Sequence, residues 1–364
     1  MKSRNISFFI AVILTLAATI FVSPYSYSKP PKNPKNIILF IGDGMGVAQV
    51  YAAMSVSDNT LVFRQFPYSG FSITNSANDY TTDSAAGGTA IACGVKTNNG
   101  MIGVAPDGTP VPSIIEIAHQ KGLATGVLST SAITHATPAS FVAHNSGRGN
   151  YEDIALDFLR GTADVFIGGG ENHFKARKDG KDLTSDLAAE GYDVVYTLDQ
   201  LKASGSQKIA GLLAKEHMPT ALEGREGVLE EMVRKAVTTL SQDKDGFFLM
   251  VEGSMIDWGA HDNNLEYTNA ETIDLDKAIG VAMDFARKDG NTLIVVTADH
   301  ETGGLTIPGK DPKTNTLNVN FSTKGHTGVM VPVFSFGPGA EEFSGINDNT
   351  FFLDRFLKLL KIKK

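Results

Sequence analysis

The sequence predicts an α/β fold built around a parallel sheet. Short runs rich in Val, Ile, Leu and Phe recur along the chain, and several end in glycine or lead directly into acidic residues. The runs lack strict alternation of apolar and polar positions, which is typical of strands covered on both faces. Segments with apolar residues at helical spacing lie between them, and this alternation of strand and helix patterns predicts the α/β class.

Seven strands and three clear helices are expected. Helical spacing of apolar residues is clearest at 229–240, at 273–286 and in a C-terminal segment at 352–360. Residues 171–226 are charged and rich in loop-forming residues, so we expect a small loop-rich lobe there. The seven expected strands are 36–42, 124–130, 164–170, 192–197, 247–253, 292–297 and 331–337.

The first 28 residues have the pattern of a secretory signal peptide. Lys2 and Arg4 give a basic start, an apolar run covers 8–22, and small residues follow it. A membrane anchor is the alternative, but the run is shorter than the roughly 20 residues that span a bilayer, and Pro24 follows it. We therefore expect a periplasmic or secreted protein without a stable membrane anchor, in which 29–364 forms a single domain.

The net charge and the number of cysteines exclude some kinds of binding partner and exclude an internal disulfide. Loss of the leader removes two basic residues and no acidic ones, which changes the formal charge from −8 to −10. Such a chain is not expected to bind nucleic acid as a specific partner, because phosphate backbones require basic surfaces. Cys93 is the single cysteine. An internal disulfide is therefore impossible, and Cys93 is interpreted as a small core residue.

The stretch DYTTDSAAGGTAIACGV, from Asp79 to Val95, predicts a polar turn that runs into a helix of small residues. Thr81 or Thr82 is expected to cap this helix, which places Ser84 in its first turn. Free N–H groups and the helix dipole favour negative charge at that position. Two interpretations remain open from this stretch alone: a capped core helix, or a serine nucleophile presented to an anion.

Acidic residues and histidines cluster after the expected strands. In parallel sheets, sites form at the carboxyl ends of the strands, so these side chains are expected to converge. Aspartate, glutamate and histidine suit zinc, whereas sites made only of oxygen ligands suit magnesium. The candidate ligands are Asp43, Glu252, Asp257, His261, Asp299, His300 and His326.

Four of the eight histidines have no metal-type ligand near them in the sequence. Structural or surface roles are expected for His119, His144, His173 and His217.

With these clusters and Ser84 in view, the chain closely resembles alkaline phosphatases over nearly all of its length after the leader. The motifs occur in the order found in that family, with long intervals between them. They are IGDGMG at 41–46, TTDSAAGGTA at 81–90, HATPASFVAHNSGR at 135–148, VEGSMIDWGAHD at 251–262, TADHETGG at 297–304 and GHTG at 325–328.

The resemblance implies a large, mostly parallel central sheet with helices on both faces, and a metal-dependent enzyme. The implied activity is hydrolysis of small phosphate monoesters with broad specificity, with inorganic phosphate as product and inhibitor. The resemblance also implies a homodimer.

The resemblance further implies two zinc ions and one magnesium ion. Ser84 would be the phosphorylated nucleophile. Arg148 would grip phosphate, with Asp83 bracing its guanidinium. The first zinc would be held by Asp257, His261 and His326, the second by Asp43, Asp299 and His300 with Ser84 as an added ligand, and magnesium by Asp43, Thr137 and Glu252.

Two positions near the substrate depart from the best-known bacterial pattern. His135 stands where an aspartate often supports the magnesium shell. Trp258 stands where a lysine or histidine often contacts the phosphate site through water. From these differences we expect weaker magnesium binding and weaker retention of phosphate, with the reaction itself unchanged.

Three other functions fit parts of the pattern less well. A sulfatase would need a C/S-x-P-x-R frame, but Ser84 is followed by Ala-Ala-Gly. A phosphodiesterase of the same superfamily commonly uses a threonine nucleophile and lacks the role given to Arg148. A non-enzymatic protein that binds phosphate or metal would need no nucleophile among its ligands.

Overall fold

A ten-stranded sheet forms the centre of the protein in this computed structural model, which describes residues 32–57, 60–314 and 316–363. The expected signal peptide lies outside the described residues. In the described part the strands are β1 (Asn36–Gly42), β2 (Tyr68–Ile73), β3 (Ala124–Ala132), β4 (Val165–Gly169), β5 (Asp193–Val195), β6 (Ile209–Leu212), β7 (Phe247–Gly253), β8 (Thr292–Thr297), β9 (Glu301–Thr302), β10 (Leu305–Lys310), β11 (Leu317–Phe321), β12 (His326–Thr327), β13 (Val331–Phe336) and β14 (Gly345–Asp348).

Helices connect most of these strands, and short 3₁₀ turns lie at Val62–Gln65, Ala221–Glu223 and Ala340–Phe343. In the described ranges the α-helices are α1 (Val47–Val56), α2 (Ser84–Cys93), α3 (Ile114–Gln120), α4 (Ala136–Ala139), α5 (Tyr151–Phe158), α6 (Glu171–Lys175), α7 (Leu183–Ala189), α8 (Leu198–Ala203), α9 (Val228–Leu240), α10 (Met255–His261), α11 (Leu265–Asp289) and α12 (Phe351–Leu359). None of the described helices has the length and apolar content needed to span a membrane.

The strands of the central sheet follow the order β14-β2-β13-β8-β1-β7-β3-β4-β6-β5. Nine of the ten run in one direction, and β13 runs antiparallel to both of its neighbours. The small hairpin β10-β11 and the two-stranded pair β12-β9 lie outside this sheet. The predicted α/β class with a mostly parallel sheet is therefore confirmed.

All seven expected strands are present: three have the expected ends, and the ends of the other four shift by one or two residues. The expectation that 331–337 forms a parallel strand was wrong, because β13 is antiparallel to β8. The chain path explains this direction. β8 ends at the carboxyl edge of the sheet, the segments β9 to β12 stay beyond that edge, and β13 enters the sheet from there. A strand that starts at this edge must run back along its neighbour.

Two hydrophobic layers cover the two faces of the sheet. Ile37, Leu39 and Ile41 of β1 belong to one cluster, whereas Ile38 and Phe40 belong to the other. Both sets are fully buried. Since each face of β1 is covered, apolar side chains occupy successive positions, which accounts for the missing alternation in the sequence.

The segment 171–226 contributes two outer strands of the sheet, β5 and β6, and the short helices α6, α7 and α8. A buried ion-pair group ties the end of this segment to α11. Arg225 is 1 % exposed, and its guanidinium pairs with Glu271 and, at 2.5 Å, with the Asp274 carboxylate. Its Nε donates to the Pro219 carbonyl at 2.8 Å. The segment is thus fixed to the core by one buried cation between two buried carboxylates.

Replacement of this buried cation should destabilise the fold strongly. In Arg225→Met, two carboxylates would remain buried without their partner, and we expect a loss of about 3–5 kcal/mol in the free energy of unfolding. Denaturant unfolding monitored by circular dichroism measures this loss. Arg234→Met is the matched control, because Arg234 is 57 % exposed and, among the described residues, forms an ion pair only with Glu231 of its own helix, at 3.4 Å. We expect this control to change stability by less than about 0.5 kcal/mol. Equal effects of the two variants would contradict the role given to Arg225.

Candidate metal centre and serine site

The turn after β1 brings Asp43 to the centre of the carboxyl edge. β1 lies between β7 and β8, and the Asp43 N–H donates to the Gly253 carbonyl at 3.1 Å. Gly44 has φ +73°, and a Cβ on it would lie 2.7 Å from the Asp257 Cα. Only glycine lets this turn adopt a positive φ and pack so closely against α10. The close approach places the Asp43 carboxylate, which is fully buried, beside the ends of three strands.

Ser84 is the first residue of α2, and the residue that caps this helix is Asp83. The Asp83 carboxylate accepts a hydrogen bond from the Ala86 N–H at 3.0 Å. The expectation that Thr81 or Thr82 caps the helix was wrong: the helix begins one residue later than a cap at Thr82 requires, and the Thr82 hydroxyl donates to the Asp83 carbonyl instead. The start of α2 therefore carries a hydroxyl on a turn with free N–H groups.

The two glycines in α2 allow close packing. A Cβ on Gly87 would lie 3.0 Å from the Asp299 carbonyl oxygen, and a Cβ on Gly88 would lie 3.0 Å from the Ser140 Oγ. Small residues therefore let the helix that carries Ser84 approach the loop that carries Asp299. This contact accounts for glycine at positions where it costs helix stability.

A first ligand cluster combines Asp257, His261 and His326. The Asp257 Oδ1 lies 3.3 Å from the His261 Nε2 and 3.5 Å from the His326 Nε2, and the two Nε2 atoms are 3.2 Å apart. The other ring nitrogens face main-chain carbonyls: His261 Nδ1 contacts the Lys324 oxygen, and His326 Nδ1 lies 2.9 Å from the Thr82 oxygen. These contacts orient both rings so that their Nε2 atoms point at one position.

A second cluster combines Asp43, Asp299 and His300, all fully buried. The His300 Nε2 lies 3.4 Å from the Asp43 Oδ1 and 3.3 Å from the Asp299 Oδ2. The Ser84 Oγ lies 3.3 Å from the same nitrogen. The rings of His300 and His326 stack with centroids 3.6 Å apart, so the first and second clusters are adjacent.

A third cluster shares Asp43 and adds Glu252 and His135. The Thr137 hydroxyl donates to the Asp43 Oδ2 at 3.5 Å. Within each of the three clusters, one ligand atom per residue lies within 4.8 Å of the others. The nine residues from Asp43 to His326 predicted for the metals and the nucleophile are thus brought together, with Asp43 common to two clusters.

Several buried polar atoms of these clusters lack a hydrogen-bond partner among the described residues. The Glu252 Oε2 accepts from the Ser129 and Ser254 hydroxyls at 2.5 and 2.6 Å, which leaves its Oε1 to face the cluster. Burial of such atoms is costly unless something binds them, and carboxylate oxygens with an imidazole nitrogen fit cations. The atoms without a partner are Asp43 Oδ1, Glu252 Oε1, Asp299 Oδ2 and His135 Nδ1.

Three of the four buried carboxylates lie in an environment that opposes their ionisation. At Asp257, burial is outweighed by the hydrogen bond from His261 and by the neighbouring histidines, which lower its pKa. Burial, together with the charges of Asp299 and Asp257, raises the pKa of Asp43 well above its ordinary value. Burial, together with the charges of Asp257 and Glu252, raises the pKa of Asp299 to about 8, and burial raises the pKa of Glu252. Bound cations would remove this cost, because they favour the charged form of each acid.

Three histidines of these clusters have pKa values that are shifted in different directions. The hydrogen bond to Asp257 raises the pKa of His261 to about 9. Burial lowers the pKa of His300 well below its ordinary value, and it lowers the pKa of His135 to about 3, with a further contribution from Arg148. Neutral imidazole is the form that binds metals, so His300 and His135 are held in the ligating form.

Arg148 reaches the mouth of the site beside Ser84. Its Nη1 donates to the Asp83 Oδ2 at 2.8 Å, and the same oxygen accepts the Gly100 N–H at 2.9 Å. The Arg148 side chain is 31 % exposed. Asp83 therefore caps the helix through one oxygen and holds the guanidinium through the other.

Trp258 and His135 form part of an aromatic group at the rim that includes His217. The His217 ring meets Trp258 edge-on at 4.8 Å between centroids and meets His135 edge-on at 5.5 Å. The Ala132 N–H donates to the His217 Nδ1 at 3.1 Å. The sequence analysis expected only a structural or surface role for His217. Its place a few residues beyond β6, at the carboxyl edge of the same sheet, accounts for its contact with these two rings.

Comparisons with known proteins agree with this geometry. A family model described as alkaline phosphatase matches residues 34–317. The chain is similar to alkaline phosphatase 4 of Bacillus subtilis (strain 168), with 34 % identity over 100 % of this chain and 98 % of the relative. It is similar to the solved alkaline phosphatase of the Antarctic bacterium TAB5, with 44 % identity, a TM-score of 0.87, and coverage of 92 % of this chain and 99 % of that one.

A variant of the TAB5 enzyme with aspartate in place of a histidine has also been solved, with magnesium bound in its M3 site. It is 43 % identical to this chain, with a TM-score of 0.87 and the same coverage of 92 % and 99 %. The match extends over most of the described chain and includes every residue of the three clusters except His326. By this evidence the chain belongs to the alkaline phosphatase family, whose members are metal-dependent phosphomonoesterases.

Proposed function

We propose that the chain hydrolyses phosphate monoesters of many kinds through a phosphoserine at Ser84, at a site for two zinc ions and one magnesium ion. The observation that carries this proposal is the position of the Ser84 hydroxyl. It lies at the start of α2, 3.3 Å from the His300 Nε2, beside two ligand clusters that share an edge of the sheet. A dianionic substrate would meet positive potential there from the helix start and from Arg148.

The residues present fit the three cations. Asp257, His261 and His326 would hold the first zinc, and Asp43, Asp299 and His300 the second. The third site has three oxygen donors, Asp43, Thr137 and Glu252, which suit magnesium. When bound, these ions would neutralise charge on the substrate and the leaving oxygen and would lower the pKa of the Ser84 hydroxyl.

Arg148 would bind the phosphoryl group, and Asp83 would hold the Arg148 guanidinium in place for it. A guanidinium can donate two parallel hydrogen bonds to two phosphate oxygens, which a lysine cannot do in the same geometry. The hydrogen bond between Arg148 and Asp83 fixes one edge of the guanidinium, so less rotational freedom is lost when phosphate binds.

The reaction would proceed in two displacements. The Ser84 Oγ attacks phosphorus, the bond from phosphorus to the ester oxygen breaks, and the alcohol leaves after taking up a proton. Water then attacks the phosphoserine from the opposite side, the bond between phosphorus and Oγ breaks, and Ser84 regains its proton. Two inversions give net retention of configuration at phosphorus.

His135 and Trp258 would set how strongly the site binds magnesium and phosphate. His135 brings an imidazole to a third site where carboxylates commonly orient water around magnesium, so this site would bind magnesium weakly and accept zinc. Magnesium in the M3 site of the TAB5 variant, in which aspartate replaces a histidine, supports this assignment. Trp258 offers no positive charge, so phosphate would leave readily.

We further infer export to the periplasm or the exterior, from the N-terminal pattern of a signal peptide. The homodimer implied by the resemblance stays a prediction.

Loss of the nucleophile should abolish most turnover. In Ser84→Ala we expect kcat to fall at least about a thousandfold while the fold and the metals remain, because no other hydroxyl takes this place at the start of α2. Steady-state hydrolysis of an aryl phosphate and circular dichroism measure the two effects. Thr81→Ala, three residues earlier in the same turn, is the matched control and should keep normal turnover. A kcat in Ser84→Ala close to that of the unmodified protein would remove Ser84 from its assigned role.

Removal of one histidine from the first cluster should remove one zinc ion. Chelation of the unmodified protein should abolish activity, and zinc with magnesium should restore it. In His326→Ala, three protein ligands become two, and zinc affinity at this site should fall at least about a hundredfold. Metal analysis by atomic emission after dialysis measures this loss directly. His119→Ala removes a half-buried histidine of α3 and should keep the zinc content of the unmodified protein. Unchanged zinc content in His326→Ala would contradict the assignment.

The rim residues make a matched pair of predictions. His135→Asp should tighten magnesium binding, because the new carboxylate can orient water in the magnesium shell; calorimetric titration of the zinc-loaded protein with magnesium measures this. Trp258→Lys should lower the inhibition constant for phosphate by roughly tenfold, because a charged donor is added near the anion. Each variant is the control for the other quantity. If neither quantity moves in the stated direction, His135 and Trp258 only pack the rim.

A further inference from the structure

His144 is held between two acceptors, four residues before Arg148. Its Nδ1 lies 2.5 Å from the Gly103 carbonyl oxygen, and its Nε2 lies 3.0 Å from the Glu116 Oε1. A carbonyl and a carboxylate can only accept hydrogen bonds. Both ring nitrogens must therefore carry a proton for both bonds to form, so the geometry assigns the imidazolium form to His144.

The surroundings of this imidazolium are mostly acidic. Glu116 of α3 is 9 % exposed and also pairs with the Arg160 guanidinium at 3.2 Å. The Asp157 carboxylate of α5 accepts a hydrogen bond from the main-chain N–H of His144 at 3.0 Å. Asp107 and Asp153 line the surface cavity that His144 borders. Burial lowers the pKa of His144, but the hydrogen bonds to Glu116 and to the Gly103 carbonyl outweigh burial, and the net effect is to raise that pKa.

The same two loops hold Arg148 and its partner. Ile102 and Asn145 exchange two main-chain hydrogen bonds of 2.8 Å, directly beside the contact between Gly103 and His144. The Arg148 N–H donates to the Gly100 carbonyl at 2.8 Å. The Gly100 N–H in turn donates to the Asp83 carboxylate that binds the Arg148 guanidinium. The position of Arg148 therefore depends on how the loop 100–103 meets the loop 144–148.

We propose that His144 is a positioning residue: its imidazolium, paired with Glu116, holds these two loops together and so keeps Arg148 in place for phosphate. This inference rests on the proposed role of Arg148 in binding phosphate. His144 itself lies behind the loop and contacts neither the serine nor the three ligand clusters in the described contacts.

The pairing of His144 with Glu116 makes the affinity for phosphate depend on pH. A neutral His144 that keeps its Nδ1–H bond to Gly103 turns the lone pair of Nε2 toward the Glu116 carboxylate, which is repulsive. A group whose pKa is raised by folding contributes its stabilisation at low pH and loses it as pH rises through the folded pKa. The contact between the loops is therefore tight at lower pH and loosens above the pKa of His144. Phosphate consequently leaves more easily under alkaline conditions.

Two substitutions separate charge from packing. His144→Gln keeps a polar side chain that cannot titrate. Glu116→Gln keeps a hydrogen-bond acceptor beside Nε2 and removes the negative charge, which lowers the pKa of His144. His119→Gln removes a histidine from the same helix as Glu116 and is the matched control. Arg148→Ala is the reference for loss of the phosphate grip itself.

The inhibition constant for inorganic phosphate, measured against pH for the zinc-loaded and magnesium-loaded full chain, tests the proposal. Phosphate and metal-bound groups titrate in every variant. We therefore divide the inhibition constant of each variant by that of the unmodified protein at the same pH, and this ratio isolates the effect of His144. For His144→Gln we expect this ratio to be about tenfold at low pH and to approach one at high pH. For Glu116→Gln we expect the pH at which affinity falls to move downward. His119→Gln should leave the profile unchanged.

Several outcomes would overturn the proposal. A ratio for His144→Gln that stays near one, or one that is constant across pH, would show that the imidazolium does not position Arg148. An unshifted profile in Glu116→Gln would do the same, and this variant serves also if His144→Gln does not fold. Failure of Arg148→Ala to weaken phosphate inhibition would instead contradict the proposed function of Arg148. The two failures are therefore distinguishable.

Discussion

Mutual repulsion among four carboxylates at one edge of the sheet is the constraint on which the site depends. Asp43, Glu252, Asp257 and Asp299 are all at most 5 % exposed and lie near one another. Burial of unpaired charges in a protein is costly. The Nδ1 atoms of His261 and His326 contact main-chain oxygens, so their Nε2 atoms face the carboxylate of Asp257. Cations relieve this cost. Metal affinity and the stability of this edge are thus two aspects of one free energy.

The sheet supplies the geometry that makes this concentration of charge possible. β1 pairs in parallel with β7 and with β8, so three strands end at the same level. Asp43 follows the middle strand, and the acids of its two neighbours flank it. Glycine at position 44 then brings α10 against the turn, and the glycines of α2 bring Ser84 against the loop with Asp299. The serine becomes part of the site because the helix that carries it has almost no side chains on that surface.

Sequence reasoning succeeded where local pattern and burial agree. β1, β7 and β8 are continuous apolar runs because both of their faces are covered. β2 and β14 were not predicted, because β2 has exposed residues at four of its six positions and β14 reads Gly-Ile-Asn-Asp, a composition poor in strand-forming residues. The direction of β13 was not predicted either, since direction follows from the chain path between β8 and β13.

The site shows the same division. The ligands and Ser84 stand in motifs directly after strands or at a helix start, so their convergence could be predicted. His217 and His144 could not, because their partners are distant in the sequence and meet them only through loops. Asp83 as the cap of α2 also escaped prediction, since either threonine before it is an acceptable cap by residue type alone.

The central claim is that Ser84 becomes phosphorylated during turnover. Acid quench of the enzyme with inorganic phosphate at low pH, followed by mass spectrometry of the peptide that contains residues 79–95, tests it most directly. The account predicts a phosphoryl group on Ser84, with no such group on Thr81 or Thr82 and none in Ser84→Ala. Turnover with no phosphorylated residue in this peptide under quench conditions, or a phosphoryl group on a different residue, would contradict it.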